Sequence, residues 1–281
     1  MSRLLIDSNN GRLGNQLFPL MAGISLYFQD YGKYKPKILF KNEGFRISEE
    51  FLESIHPDLF DLVSFSDDEF QQVWKNETSN SNLININSYW DLSNKTIALN
   101  KSVLLRGFLQ EKRIVNERAC QKVLYCKKEI IDTLISRLGE DIKDSVCLHV
   151  RRGDYLTEQN LKLYISLTKS WIRDVILTYY PGRRIICISD DINWCKENLI
   201  FDQDEILIDF FENSTLSLDF WLQTMTFGNI CSCSTFSLSG AMLNPNLNAV
   251  IPTPYYRNTG WEKSYGSNMI TPNWMIKHSI D

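Results

Sequence analysis

Apolar positions along the chain fall into short runs, separated by polar stretches rich in Asn, Ser and Gly. Leu4-Leu5-Ile6 reads as a short buried strand. Asn9-Asn10-Gly11 behind it reads as a turn, because Asn and Gly tolerate positive φ. From about Asn15 the period changes: Leu17, Leu20, Met21, Ile24 and Phe28 recur at helical spacing. Pro19 fits such a helix only in its first turn, and Gly32 is its expected stop. Residues 37–40 and 103–105 read as further strands, and residues 111–137 as mostly helical. Asn76 to Ser81 is polar and turn-like, and the surrounding residues 67–99 carry no clear period.

The second half alternates more cleanly. Strand-like runs at 146–150, 185–188, 206–208, 229–231 and 249–251 enclose helical patterns at 161–180, 192–199, 215–227 and 235–243. Such alternation predicts an α/β fold with a parallel sheet and helices on both faces. Ligands of these sheets bind outside the carboxyl ends of the strands, so the residues just after each strand are where chemistry is expected.

With 281 residues, the chain has room for one large domain or two modest ones. The polar stretch Gly139-Glu140-Asp141 places the expected boundary near 138–145, giving domains 1–140 and 141–281. A content of 43% apolar and 23% charged residues excludes a disordered or collagen-like chain. Net charge is −4, which argues against a nucleic-acid binder working through a global basic field. The run Lys112, Arg113, Arg118, Lys122, Lys127 and Lys128 reads as a solvated helix face. Seven cysteines with no CxxC pair, and an N-terminal apolar run too short for a secretion signal, predict reduced thiols in a cytosolic protein. The charge-free stretch 220–256 is too polar for a membrane span.

Four clusters carry candidate chemistry. His149-Val150-Arg151-Arg152-Gly153-Asp154-Tyr155 leaves a strand and enters a glycine-bearing loop. Guanidinium groups pair bidentately with phosphate and keep their charge, so Arg151 and Arg152 form either a diphosphate clamp or a surface pair bonded to Asp154 and neighbouring acids. His149 either orients a reacting group or is a satisfied structural residue; Asp154 is either a base or an arginine partner. Between the first strand and first helix, Gly11-Arg12-Leu13-Gly14-Asn15-Gln16 offers close backbone approach and a helix N-terminus suited to an anion. Ser189-Asp190-Asp191 ends a strand, where a carboxylate either reads a guanine edge or caps the next helix. Ser232-Cys233-Ser234-Thr235-Phe236-Ser237 opens a helix as a phosphate cradle or an ordinary cap. Three of these four fall at carboxyl ends of successive strands of one sheet and are expected to converge. A competing signal is Asp202-Gln203-Asp204, whose DxD form belongs to metal-dependent sugar-nucleotide transferases. Three histidines, His56, His149 and His278, give no histidine-rich metal site.

Taken together, the motifs resemble a known family. Gly11-Arg12-Leu13-Gly14-Asn15-Gln16-Leu17-Phe18 resembles the GRLGNQMF-type motif of glycosyltransferase family 11, the α-1,2-fucosyltransferases. His149 to Asp154 resembles the HxRRxD motif shared with α-1,6- and protein O-fucosyltransferases, and Ser189-Asp190-Asp191 with Trp194 resembles the next motif. Ser234-Thr235-Phe236-Ser237 with Gly240-Ala241 resembles an NSTFSWWGA block, in which Cys233 replaces the Asn and Leu238-Ser239 the Trp pair. The resemblance implies a GT-B architecture, two Rossmann-like domains facing across a cleft, with the acceptor on the first and GDP-L-fucose on the second. It implies inverting, metal-independent transfer of fucose to a terminal galactose of a glycan such as an O-antigen, with no cofactor. On this reading Arg151, Arg152, His149 and Asp154 are catalytic. Arg12, Gly14, Asn15, Ser189, Asp190, Asp191, Ser234, Thr235, Phe236 and Ser237 bind the donor. Asp154, Glu158 and Asp7 are candidates for the base. The expected place is the cytoplasm, with peripheral contact to the membrane where lipid-linked glycans are built. A metal-dependent transferase using Asp202 and Asp204, or a non-catalytic nucleotide- or glycan-binding protein on the same fold, are the rival readings.

Overall fold

The computed structural model describes residues 2–7, 11–29, 34–42, 47–87, 101–202, 206–266 and 270–280. Two units divide the chain, Met1–Lys127 and Lys128–Asp281. In the first, β1 (Ser2–Asp7), β2 (Tyr34–Lys41), β3 (Val63–Ser64), β4 (Leu83–Ile86) and β5 (Ser102–Arg106) form a parallel sheet of order β3-β2-β1-β5-β4. Its helices are α1 (Leu13–Gln29), α2 (Glu49–Ser54), α3 (Asp58–Leu62), α4 (Asp67–Ser79) and α5 (Glu117–Gln121). Leu4, Leu5 and Ile6 are wholly buried, as expected for a central strand covered on both faces. Phe70 of α4 packs with Leu5, Leu39 and Leu104, and Val73 and Trp74 close over that cluster.

α1 starts two residues before the expected Asn15, and Pro19 lies inside it rather than in its first turn. The proline removes the hydrogen bond to the carbonyl four residues back. Packing offsets that loss: thirteen of the helix's 17 residues are buried, and each large apolar side chain contributes roughly 1.5–3 kcal/mol. Asn9, Asn10 and Gly32 lie outside the described residues, as do residues 88–99. The basic run does not share one helix face. Between α5 and the next helix the chain pairs with the segment after α2, through Ile55 opposite Cys126 and the Lys127 amide on the Ser54 carbonyl. That pairing breaks the helix expected over 111–137.

The second unit opens with α6 (Lys128–Leu138). Its Arg137 donates to the carbonyls of Glu212 and Asn213, and the Leu138 carbonyl accepts from Arg184 at 2.6 Å. These bonds tie α6 to the second sheet, so the division falls before this helix instead of after it at 140.

The sheet comprises β6 (Val146–Val150), β7 (Ile185–Ser189), β8 (Ile208–Phe210), β9 (Gly228–Ile230), β10 (Ala249–Thr253) and β11 (Ile276–Ser279), all parallel, in the order β11-β10-β9-β6-β7-β8. Counted from β6, this is the 3-2-1-4-5-6 order of a Rossmann fold. Its helices are α7 (Glu158–Leu161), α8 (Lys169–Tyr179), α9 (Ile192–Asn198), α10 (Leu216–Met225), α11 (Thr235–Leu243) and α12 (Thr259–Tyr265). The strand order reverses between β6 and β9. Connections from their carboxyl ends leave in opposite directions there and open a crevice.

Candidate active site

The chain after β6 runs directly into that crevice. All five residues of β6 are buried, and His149 is 5% exposed. Its Nδ1 meets the hydroxyl of Ser232 at 2.9 Å and that of Ser237, and the two hydroxyls lie 3.2 Å apart. Burial and the neighbouring Arg151 charge lower its pKa to about 3, so the imidazole is neutral at working pH. The histidine therefore joins the end of β6 to the turn after β9.

Arg151 and Arg152 follow, with side chains 14% and 16% exposed. Arg151 bonds Asp154 and, through Nη1, the Asp190 carboxylate at 2.7 Å. Its guanidinium lies 5.5 Å from the Tyr155 ring centre. The other Asp190 oxygen accepts the Arg152 amide at 2.8 Å. Arg152 donates from Nε to Asp191 at 3.1 Å and stacks 3.5 Å over the Trp194 ring. Its two terminal Nη groups make no hydrogen bond to the described residues. One carboxylate and one indole thus orient this guanidinium while leaving its forked edge unused.

Local sequence explains the approach. Gly153 has φ +20°, and a Cβ there would come within 2.3 Å of Asp190 Oδ2. Ser189 donates to the Val150 carbonyl at 2.7 Å and accepts from the Asp191 amide at 3.0 Å, which ties the ends of β6 and β7. Asp191 caps α9 by accepting from the Trp194 amide at 3.3 Å. Of the two uses expected for this pair of acids, the structure displays capping, by Asp191; both acids in addition hold the arginines.

After β9, Ser234 caps α11 by accepting from the Phe236 amide at 3.3 Å. Phe236 packs its ring 5.1 Å from that of His149, and Ser237 is wholly buried. Ser234 is 6% exposed; Thr235 and Phe236 are half-buried at the helix start. Leu238 and Ser239, where the family motif carries its aromatic pair, are both wholly buried, so this departure changes internal packing.

The remaining predicted residues belong to the first unit. Gly14 is buried at the start of α1, and Arg12 is exposed with its carbonyl accepting the Asn15 and Gln16 amides at 2.9 and 3.3 Å. Asn15 accepts from Gln110 at 2.9 Å. Gly11 has φ +148°, and a Cβ there would stand 2.5 Å from Asn15 Nδ2. Asp7, at the end of β1, pairs with Arg106 at 3.2 Å and Lys41 at 3.7 Å.

Of the rival DxD pair, Asp202 is described and Asp204 lies outside the described residues. Among the described residues no group of three or more His, Cys, Asp or Glu side chains is placed to hold a metal ion. All seven cysteines are buried and free. Among the described residues no helix is long and apolar enough to cross a membrane.

Sequence reasoning named Asp154 and neighbouring acids as partners of the arginines but missed the aromatic rings around them. Trp194 and Tyr155 sit in quoted motifs, but Tyr164 and Tyr256, which extend the Tyr155 stack, have no local signal because they meet only in the fold.

The family model for glycosyl transferase family 11 matches residues 63–277, and the chain belongs to that family. The match begins after the glycine motif of the first unit. An α-1,2-colitosyltransferase of Escherichia coli is 36% identical over 122 residues, 40% of this chain and 41% of that protein. The O-antigen biosynthesis glycosyltransferase WbnK of Escherichia coli is 25% identical over 125 residues, 43% of this chain and 41% of that protein. The matched stretch thus spans well under half of each relative. Among solved structures, the α-1,6-fucosyltransferase NodZ soaked with GDP-fucose aligns with a TM-score of 0.53 at 13% identity, over 87% of this chain and 94% of that one. NodZ from Bradyrhizobium aligns with 0.52, also at 13% identity, over 87% and 94%. The fold is GT-B: two Rossmann-like units of parallel sheet and helices.

Proposed function

We propose that this protein transfers L-fucose from GDP-β-L-fucose to a hydroxyl of a terminal galactose, O2 being the expected position, with inversion and without a metal. The observation that carries the reading is Arg152: oriented by Asp191 and Trp194, with its forked edge unused, at the switch point of a Rossmann sheet. A diphosphate fits that edge bidentately. The first turn of α11, behind Ser234 and Thr235, offers amides to the same anion.

In this mechanism the acceptor oxygen attacks the anomeric carbon from the face opposite GDP. The sugar becomes oxocarbenium-like as the bond to the β-phosphate breaks. Negative charge grows on the leaving diphosphate, and Arg151 and Arg152 stabilise it. One preorganised contact of this kind is commonly worth roughly 3–4 kcal/mol. His149, buried and neutral, serves by fixing the β9 turn rather than by moving a proton. Asp154 holds Arg151; the other candidates for the base are Glu158, paired with Lys162 at 2.9 Å, and Asp7, paired with Arg106 and Lys41. Asp190 and Asp191 act chiefly by aiming the arginines. Arg12, Gly14 and Asn15 are assigned to the diphosphate or the acceptor on the resemblance of their motif.

The match to a colitosyltransferase favours a second donor. Colitose is 3-deoxy-L-fucose, so GDP-colitose would present the same diphosphate and lack one hydroxyl. Mass spectrometry of reactions holding the protein, either GDP-sugar and galactose-terminated oligosaccharides, with and without EDTA, tests all of this. A product from GDP-fucose that survives EDTA is expected. Product only from GDP-colitose would change the donor, and loss with EDTA would move the reading to Asp202 and Asp204. GDP binding without turnover would make this a binding protein.

A further inference from the structure

In the first unit, the chain leaving β5 turns sharply. Arg106 ends the strand, in register with Asp7 of β1. Gly107 and Leu109 then both take positive φ, 89° and 48°. Glycine tolerates that conformation, whereas a leucine is strained in it. The strain has a visible result. Leu109 turns inward, 4% exposed, into an apolar recess with Ala22 and Leu26 of α1 and Leu105 of β5. Phe108, between the two, stands outward at 42% exposure. Two neighbouring apolar side chains are thus sorted, and the larger one is left in water.

The turn is also anchored. Gln110 donates from Nε2 to Asn15 at 2.9 Å, which fixes it to the start of α1. No ring or cation of the described residues lies against the Phe108 ring. Leaving an ordered phenyl ring in water forgoes burial energy. Polar side chains flank it along the turn, Arg106 before it and Gln110 after it. An aromatic face held in such surroundings suits a ligand with one apolar face and polar edges. A pyranose is such a ligand. Galactose suits it well, because its axial O4 leaves C3, C4 and C5 hydrogens on one continuous face. The turn lies at the carboxyl end of a strand in a parallel sheet, where ligands of such sheets bind.

We propose that Phe108 is an acceptor subsite of the first unit, its ring stacking against the apolar face of a galactose in the acceptor glycan. This rests on the transfer reading above and adds the residue that grips the acceptor.

The test uses a disaccharide ending in β-galactose as acceptor, with GDP-fucose. Phe108→Ala should raise KM for the disaccharide about tenfold, the scale of one aromatic anchor, and leave kcat and KM for GDP-fucose unchanged. Phe108→Leu should lose as much, since it keeps apolar bulk without a flat face. Phe108→Trp should hold KM within about threefold of wild type. An unchanged KM in Phe108→Ala, or a loss that leucine repairs, would overturn the subsite; repair by leucine marks a packing role. Saturation-transfer NMR of the disaccharide with GDP present reads binding apart from reaction. Wild-type binding that Phe108→Ala abolishes, without turnover, keeps the subsite and sinks the transfer reading. No wild-type binding overturns the subsite. A wild-type dimer that Phe108→Ala turns into a monomer, with disaccharide binding unchanged, would also overturn it and make the ring a contact between copies.

Discussion

Both sheets set a later strand beside their first one, β5 beside β1 in one and β9 beside β6 in the other; beyond that reversal the first sheet ends on β4, whereas the second runs on through β10 to β11. Each reversal carries arginine and aspartate at the carboxyl edge, yet the two edges are built differently. At the first, Arg106 is 44% exposed and meets Asp7 through a single contact at 3.2 Å. Exposed pairs of this sort contribute about 0–1 kcal/mol and leave side chains free to move. At the second, two arginines less than half as exposed are fixed by three carboxylates, an indole face and a tyrosine ring. Strand order opens a crevice in the second unit, and both units bring an arginine and an aspartate to the edge. A charge is aimed only where a layer of partners behind it is built as well.

The largest expected effect tests this contrast directly. Arg152→Ala should lower kcat/KM on the order of a hundredfold or more, since it removes a preorganised contact to the leaving group. Arg152→Lys should recover less than about a tenth of the loss, because an ammonium cannot form the fork. Arg106→Ala should change KM for GDP-fucose by less than about threefold. Steady-state kinetics on the three folded variants decide it; equal losses at Arg106 and Arg152 would erase the distinction between the edges.

The second sheet also buries titratable groups near its built edge. Asp219 on α10 has Oδ1 buried without a hydrogen-bond partner, and burial raises its pKa from 3.8 to about 7 against the pull of Ser214 and Arg137. Between these two values the folded state binds more protons than the unfolded state, so this group's contribution falls as pH rises. Asp219→Asn has no charge to lose. Its stability gain over wild type should therefore grow by about 2 kcal/mol from pH 5 to pH 8 in urea titrations. A pH-independent gain would mean that the carboxylate is better solvated than its position indicates.

Glycine gives a smaller and more local comparison. Gly153→Ala drives a Cβ against Asp190, which holds both arginines, and should lower kcat/KM about tenfold. Gly11→Ala presses on Asn15, whose partner is Gln110, and should cost stability, by about 1 kcal/mol, more than rate. Reversed outcomes would place the more demanding geometry in the first unit.

How far this was legible in the sequence follows the same division. β6 and α11 occur at the expected residues, since each is a continuous apolar or small-residue run bounded by polar ones. β11 was missed: Ile276, Lys277, His278 and Ser279 form a mostly polar edge strand that pairs on one side only. The helix expected over 161–180 covers only its second part, α8, because Tyr164 is drawn into a bridge with Tyr256. The arginines and acids of the site stood out by type and by position after strands. Which acid holds which arginine did not, for Asp190 and Asp191 lie 38 and 39 residues from Arg152 and meet it through β6–β7 pairing.

His149 provides the finest test. Its folded pKa of about 3 lies below the ordinary 6.5 because it is buried beside Arg151. Between those values the unfolded chain binds the extra proton, so this group's contribution is complete above pH 6.5 and is lost as pH falls toward 3. From pH 7 to pH 5.5 wild type should lose about 1 kcal/mol from this one residue. His149→Gln can offer a hydrogen bond to Ser232 or Ser237 and does not titrate. Whatever its overall stability, its loss over that interval should be about 1 kcal/mol smaller. Wild-type kcat should also show no ionisation near 6.5 assignable to this histidine, with kcat in His149→Gln keeping the same pH profile. A kinetic pKa near 6.5 that vanishes in the variant would mean that His149 is open to the reacting groups, and that the second edge is less closed than its partners make it.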